Sequence, residues 1–305
     1  MCDVSIADLS LPGANDDVKD TKCQPYSRDC QRHSYHDVMQ IYWLKIAYIS
    51  VDSLDGPVQL YGYLSARDLL NPRRNYLFNC SRDDPYVVGQ DDDWLIQMSG
   101  PKRGIEMTAP VLVEFDMRIK TGEKEEEDLQ LIDGVVNFSD MDPPVNMAFT
   151  ERLGGEGGAV DINLAHLYEA AEATIHVRIS EACAGGLSIC LTASGSGLLE
   201  QARLFDGIVA KAPCDLDRFV FAVMRRTKLV VVLKICRSDG SDCVHRFHLF
   251  DVQKHGDSTV FFKLSFATIH VSTLDVPNSA LGEDNHYQWG LEDTTEDDYD
   301  YDWND

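Results

Sequence analysis

Alternating apolar and polar residues dominate the middle of the chain. In the segment ATIHVRIS, every second residue from Ala173 to Ile179 is apolar, and the residues between them are polar. A β-strand needs this period of two when one face packs on the core and the other faces water. The pattern therefore predicts a protein built from strands.

About a dozen segments of this kind follow one another, separated by turn signals. They are Ile41–Val51, Val58–Ala66, Tyr76–Asn79, Trp94–Met98, Val111–Lys120, Leu129–Ser139, Thr174–Ser180, Leu187–Ala193, Ala202–Ala210, Phe219–Val223, Leu229–Cys236, Val244–Val252 and Thr259–Val271. Short strands at regular spacing predict an all-β fold, specifically a β-sandwich of roughly 10–13 strands with at most one short helix.

One segment fits two interpretations. In DINLAHLYEAAEA, Leu164, Leu167, Tyr168 and Ala171 fall at helical spacing, and Asp161 is placed to cap a helix. The same residues are apolar enough for a buried strand. Helix and strand both remain open over residues 161–172.

Composition divides the chain into three zones. Residues 1–38 are rich in aspartate, contain Pro and Gly and lack periodicity, so they predict a disordered or loosely packed leader. Residues 39–274 hold nearly all the apolar patterning and predict one sandwich domain. Residues 275–305 form an acidic tail that contains aromatic residues.

The formal net charge of −24 is the most unusual property of the composition. Such a surface repels phosphate polymers, so nucleic acid is not an expected partner. No segment approaches the length of uncharged apolar residues that a membrane-spanning helix needs, and the first residues lack the pattern of a secretory signal. We expect a cytoplasmic protein, with the nucleus as the alternative location.

A charged connection at residues 61–84, YGYLSARDLLNPRRNYLFNCSRDD, is the first candidate site. Its candidate residues are Arg67, Asp68, Arg73, Arg74, Arg82 and Asp83. Arginines of this kind can bind an anionic ligand, or they can pair with nearby aspartates and loop carbonyls to fix a connection between strands. The balanced charges favour the second interpretation, a structural clasp.

The acidic tail is the second candidate site. Residues 283–305 contain ten acidic residues and no Lys or Arg, with Trp289, Tyr299, Tyr301 and Trp303 among them. One interpretation is a solubilising tail. The other is a docking segment for a basic protein partner, in which charge accelerates association and the aromatic residues anchor it. Both interpretations remain open.

Other chemistry finds little support. Cys243 and His245 would share one face of a strand while His248 points to the other, so the three do not converge on a metal. The sequence has no nucleophile elbow and no glycine-rich phosphate loop. We therefore predict no catalytic residues, no metal and no cofactor.

A calcium-dependent lipid-binding sandwich remains an alternative, because acidic loops hold Asp52, Asp55, Asp68, Asp83, Asp84 and residues 91–93.

A pair of cysteines flanks a predicted hairpin turn. If Asp239 and Gly240 form a two-residue turn, Cys236 and Cys243 face each other as a hydrogen-bonded pair. Side chains in such pairs are farther apart than in the alternate pairs, so a disulfide would be strained, which favours two reduced thiols. The redox state of the pair is not fixed by the sequence.

Several motifs together resemble a known family. They are YGYLSARDLLNPRRNYLFNCSRDDP, MSGPKRGIEMTAPVLVEFDMRIK, EAAEATIHVRI and SFATIHVS, in this order. The chain is similar over about residues 40–275 to the grass-specific family called domain of unknown function 6598. The resemblance implies no established activity. It implies a context of stress or defence, because some members are attached to ribosome-inactivating N-glycosidase domains in cereals.

An N-glycosidase activity is not expected of this chain. Such enzymes use a Glu-Ala-Ala-Arg-like helix, in which the arginine assists the departing base, whereas here Glu169 is followed by Glu172 at the arginine position. We therefore predict a non-enzymatic protein-interaction module of plant stress or defence. A module associated with or derived from ribosome-inactivating N-glycosidases is the alternative.

Overall fold

The computed structural model describes residues 35–50, 56–139, 141, 144–251 and 256–276, and it confirms the all-β fold. The strands are β1 (His36–Ile49), β2 (Val58–Arg67), β3 (Asn75–Cys80), β4 (Tyr86–Val88), β5 (Leu95–Ile96), β6 (Ile105–Glu106), β7 (Val111–Ile119), β8 (Leu129–Phe138), β9 (Ala148–Gly154), β10 (Gly158–Ala182), β11 (Leu187–Gly195), β12 (Ala202–Val209), β13 (Cys214–Asp215), β14 (Phe219–Met224), β15 (Lys228–Arg237), β16 (Val244–Asp251), β17 (Gly256–Lys263) and β18 (Ala267–Val276). The described helical residues form two single 3-10 turns, Gln90–Asp92 and Glu125–Glu127.

Antiparallel pairing joins the strands into three sheets. The first has nine strands and follows the order β17-β18-β10-β1-β5, with β6 on β1 and with β9, β13 and β14 on β10. The second has the order β12-β11-β15-β16. The third has the order β3-β2-β7-β8, with β4 on β2.

Strand β10 runs through the whole domain and contributes to two separate cores. Its first half, which includes Ile162 and Leu164, packs in an N-terminal core with residues of β2, β3, β7 and β8. Its second half, which includes Ile175 and Val177, packs in a C-terminal core with residues of β11, β15 and β18. The first sheet is therefore covered by the third sheet over one half and by the second sheet over the other half.

The period-two pattern accounts for these cores. In β7 and β11, every second residue is buried and the residues between are half-buried. Neighbouring strands of a sheet place apolar residues side by side. For example, Val177 of β10 pairs with Val271 of β18. Alternation of this kind is expected for sheets with one face on a core.

The ambiguous segment 161–172 is a strand, because it lies inside β10. Two strands, β1 and β9, pair with its first half, and the residues from Ile162 to Leu167 are buried without a break. Burial on both faces removes the alternation that marks a half-exposed strand. The apolar run could therefore be interpreted as a helix face.

The last predicted strand, Thr259–Val271, is in fact a hairpin. Strands β17 and β18 pair with each other, and a turn between them is closed by a hydrogen bond from Leu264 N to Ala267 O of 2.8 Å. Apolar Leu264 and Phe266 occupy this turn and pack on the C-terminal core, so Ser265 is the single polar turn residue between them and the turn signal in the sequence is weak.

The expectation of two reduced thiols at Cys236 and Cys243 is wrong, because the two form a disulfide. The predicted facing register is present, but the turn is wider than two residues, with Arg237 N donating to Ser241 O. The two Cα atoms consequently lie only 4.1 Å apart, near the spacing of a non-hydrogen-bonded pair. At that spacing the two sulfur atoms can bond.

Candidate interaction surface

The candidate residues of the charged connection lie around β3, but they do not pair with one another. Arg67 ends β2, Asp68 follows it, Arg73 and Arg74 precede β3, and Arg82 follows β3. Each ion pair that the structure shows for this group joins it to a residue elsewhere in the chain, namely Glu114, Arg103 or Asp128.

The first group centres on Glu114 of β7. Its Oε2 atom lies 3.1 Å from Arg67 Nε and 2.8 Å from Arg74 Nε. The guanidinium of Arg74 also lies 4.4 Å above the ring of Tyr63. Partial burial opposes ionisation of Glu114, but hydrogen bonds from both arginines hold its pKa below the ordinary value. Two cations and one carboxylate thus connect β2, β3 and β7.

The second group centres on Asp68, which follows β2. The side chain of Asp68 is fully buried and forms an ion pair with Arg103. It also accepts hydrogen bonds from the backbone amides of Asn71 at 2.8 Å and Glu106 at 3.2 Å. Arg103 in turn donates to the carbonyl of Asn71 at 2.7 Å. Arg103 was not predicted, because nothing nearby in the sequence links it to Asp68.

The third group joins Arg82 to Asp128, which precedes β8. Arg82 Nε donates to Asp128 Oδ2 at 2.6 Å, and Tyr61 donates to the same oxygen at 2.8 Å. The hydrogen bond from Arg82, followed by those from Tyr61 and the amides of Thr121 and Gly122, holds the pKa of Asp128 well below its ordinary value. Desolvation raises the pKa of Asp128, but this effect is smaller than the lowering caused by Arg82.

This arrangement predicts a specific acid response. The folded-state pKa of Asp128 lies below its unfolded value of about 3.9, so its ionised form stabilises the fold above that pH and stops doing so as the pH falls. We expect the stability difference between the natural protein and Asp128→Asn to be constant near neutral pH and to shrink below about pH 4. Urea unfolding across the acid range measures this difference.

The matched control is Glu126→Gln, which changes an exposed carboxylate two residues away. This variant should show no pH-dependent difference. A constant difference for Asp128→Asn throughout the acid range would contradict the assignment.

The remaining two candidate residues of the connection are exposed. Within the described ranges, Arg73 and Asp83 take part in no ion pair. The structure therefore distributes the six residues over three ion-paired groups and two free positions. It does not gather them around one pocket for an anion.

The aspartates of the acidic loops, which were candidate calcium ligands, are not gathered into one site either. Asp92 pairs with Arg203 at 2.6 Å and Asp93 with Lys45 at 2.6 Å. Asp52 and Asp55 lie outside the described residues. In the part of the chain that is described, no three His, Cys, Asp or Glu side chains are grouped to hold a metal ion. Cys243, which lies near His245 and His248 in the sequence, is in the disulfide.

The tail residues Trp289, Tyr299, Tyr301 and Trp303 also lie outside the described residues, so docking through the tail stays a prediction. Glu169 and Glu172 are described, and they lie on a strand and not on the helix that an N-glycosidase motif requires.

An exposed apolar patch lies on the outer face of β15 and β16, a surface that the sequence reasoning missed. Phe247 is 65% exposed and Leu249 is 42% exposed. They pair across the sheet with Val232 and Val230, which are half-buried. We call these four residues the β15–β16 patch. Their alternation with buried Phe250 is visible in the sequence, but which face is covered depends on the second sheet.

Charged groups surround the patch. Lys228 and Asp251 form an ion pair of 2.6 Å at one end, and Lys234 faces His245 at the other. An apolar centre with a polar rim is the usual composition of a protein-binding surface. At the free edge, Arg246 lies on the inner face of β16 and is exposed. A charge in this position hinders the addition of another strand.

The family profile of a domain of unknown function, DUF6598, matches residues 38–273. The chain belongs to this family. The resemblance inferred from the motifs is thus confirmed, and the DUF6598 match spans both cores. Among curated proteins, no match was found. In the described part of the chain, no helix is long and apolar enough to cross a membrane.

Solved structures show only distant similarity to this DUF6598 protein. Human GIVD cytosolic phospholipase A2 aligns with a TM-score of 0.27 and 11% identity, over 81% of this chain and 33% of the phospholipase. The calcium-bound C2A and C2B domains of Extended-Synaptotagmin 2 align with a TM-score of 0.26 and 10% identity, over 81% of this chain and 100% of the other. The chain spans about a third of the phospholipase, and scores this low carry no argument.

Proposed function

We propose that this DUF6598 protein is a non-enzymatic interaction module that binds a basic protein partner on the β15–β16 patch. The observation that carries the proposal is the exposure of Phe247 and Leu249 side by side on one face. Exposed apolar side chains that adjoin on a sheet typically mark an interaction site. The biological context that we propose is stress or defence in grasses.

The net charge of −24 supports a basic partner, whose positive residues lie beyond the rim of the patch, since Lys234 and Arg246 occupy that rim. A field of this sign accelerates the approach of a positively charged protein and repels a second copy of the chain. The patch then supplies the short-range contacts, because a large apolar side chain can be the anchor of an interface. The predicted role of the acidic tail, docking on a basic protein, is compatible with a mechanism in which charge attracts the partner and the patch holds it.

The test is affinity capture from stressed grass leaf extract, followed by binding measurements with the purified captured protein. We expect a basic protein that binds about tenfold or more weakly to the double variant Phe247→Ser, Leu249→Ser, since both anchors are lost. Its association rate should fall as salt is added.

The matched control is Phe261→Ser, because Phe261 is 57% exposed but lies on β17 in the first sheet. This variant should bind normally. A chain without residues 283–305 separates the contribution of the tail from that of the patch. Equal binding by the natural protein and the Phe247, Leu249 variant would refute docking on the patch, as would self-association of the purified chain through it.

A further inference from the structure

A cleft of about 280 Å³ lies at the middle of β10, away from the β15–β16 patch. One wall is the stretch of β10 that contains Tyr168 and Glu169, and the other is the turn of Arg225, Arg226 and Thr227 between β14 and β15. The cleft therefore sits where the chain passes between the two halves of the domain.

Three residues that line the cleft have a left-handed backbone. The φ angles are 59° for Asn146, 47° for Glu169 and 66° for Arg226. This conformation favours glycine and is readily adopted by Asn, but it costs about 1–2 kcal/mol for other side chains such as Glu169 and Arg226. Two strained positions in one cleft point to a functional site, because strained backbone is concentrated at such sites.

Hydrogen bonds hold the strained positions in place. Asn146 N donates to His166 O at 2.7 Å, and its side-chain oxygen accepts from Tyr168 N at 2.8 Å. Arg225 N donates to Glu169 O at 2.8 Å. The backbone on both sides of the cleft is thus fixed before any ligand arrives.

The charges in the cleft do not cancel. Arg225 Nη1 pairs with Glu169 Oε2 at 3.0 Å, which neutralises one arginine. Arg226 is exposed and has no carboxylate partner among the described residues. Among the residues that the structure describes, the cleft consequently carries one guanidinium without a carboxylate partner, in a chain of net charge −24.

An aromatic ring completes the site. Tyr168 is 54% exposed, although the residues on both sides of it in β10 are more buried. Its amide is bonded to Asn146, which fixes the backbone from which the ring projects. A guanidinium and an aromatic ring in one cleft match a ligand that has a negative group and a flat apolar part.

We propose that this cleft binds a small ligand in which a phosphate or carboxylate group is joined to an aromatic ring. Arg226 pairs with the anionic group, and Tyr168 packs against the ring. Arg225 and Glu169 position the wall of the cleft through their ion pair. The proposal is independent of protein docking on the β15–β16 patch.

Calorimetry with phenyl phosphate tests the proposal, with inorganic phosphate and phenol as separate probes. We expect phenyl phosphate to bind more tightly than either fragment, and Arg226→Gln or Tyr168→Ala to weaken it about tenfold or more. Arg73→Gln is the matched control, because Arg73 is also exposed and without an ion pair in the described ranges, and it should leave binding unchanged.

A second variant separates a ligand site from a structural turn. Arg226→Gly removes the cation and relieves the left-handed strain, so it should lose affinity while its melting temperature stays the same or rises. A lower melting temperature would show that Arg226 serves the fold. Absence of phenyl phosphate binding at millimolar concentration, or equal loss of binding in Arg73→Gln, would overturn the proposal.

Discussion

Replacing Leu164 or Ile175 by alanine is expected to lower the free energy of unfolding by about 3 kcal/mol each. Both side chains are fully buried, but Leu164 belongs to the N-terminal core and Ile175 to the C-terminal core. Each substitution removes apolar contacts and leaves a cavity. Because both residues lie on the continuous strand β10, we expect one cooperative transition that either substitution shifts by a similar amount.

Urea unfolding with two local reporters measures this coupling. Trp43 packs against the C-terminal core and Trp94 against the N-terminal core. In a chain without residues 283–305, which removes Trp289 and Trp303, single Trp→Phe variants of each isolate the signal of the other core. Far-UV circular dichroism follows the sheets. Leu199→Ala is the control, since Leu199 is 96% exposed and its loss should change stability by less than about 0.5 kcal/mol. Two separate transitions, each shifted by only one substitution, would contradict a single folding unit over residues 39–274.

The strands were predictable where one face is buried and the other is not. In β7 and β11 the alternation is visible directly in the sequence, and the predicted bounds differ from the observed ones by one or two residues. Strand β10 has a neighbouring strand on each side, and its two halves pack in different cores. Its pattern of apolar and polar residues is therefore a mixture of continuous burial and alternation. The tertiary surroundings, and not the local period, decide the structure of residues 161–172.

The partners of the charged connection were not predictable for a different reason. The sequence shows that Asp68 and Arg82 lie among opposite charges, and nearest neighbours are the natural partners to propose. In the fold, Asp68 pairs with Arg103 and Arg82 with Asp128, which lie 35 and 46 residues away. Arg82 and Asp128 flank strands β3 and β8 of the third sheet, whereas Arg103 precedes β6, which pairs with β1 in the first sheet, so only the assembled sheets bring these residues together. The type of interaction could be predicted, whereas the pairs could not.

The cleft and the β15–β16 patch were even harder to predict from the sequence than the ion pairs. Arg226 and Glu169 are ordinary residues in the sequence, and their left-handed conformation follows from the turn and the bulge into which the fold places them. Phe247 and Leu249 follow the same alternation as core residues. Their exposure depends on the absence of a covering layer over the outer face of β15 and β16 in the described structure, which no local pattern reports.

Asp68→Ala is expected to destabilise the protein by about 3–5 kcal/mol. The substitution removes a buried carboxylate that pairs with Arg103 and satisfies two backbone amides, and it leaves the charge of Arg103 partly buried without its partner. By contrast, Arg74→Ala removes a more exposed pair with Glu114, for which a loss of about 1 kcal/mol or less is expected. Urea unfolding of both variants compares the two pairs directly.

A double-mutant cycle with Arg103→Ala separates the ion pair from the backbone hydrogen bonds. If the cost of Asp68→Ala comes mainly from the unpaired cation, removing that cation will restore stability, and the double variant will be more stable than Asp68→Ala alone. If it comes from the unsatisfied amides of Asn71 and Glu106, Asp68→Asn will recover part of the stability, because the amide oxygen still accepts a hydrogen bond. A loss below about 1 kcal/mol for Asp68→Ala would show that this buried pair contributes no more than an exposed one. The fixed path between β2 and β3 would then depend on Glu114, which the structure pairs with Arg67 at the end of β2 and with Arg74 before β3.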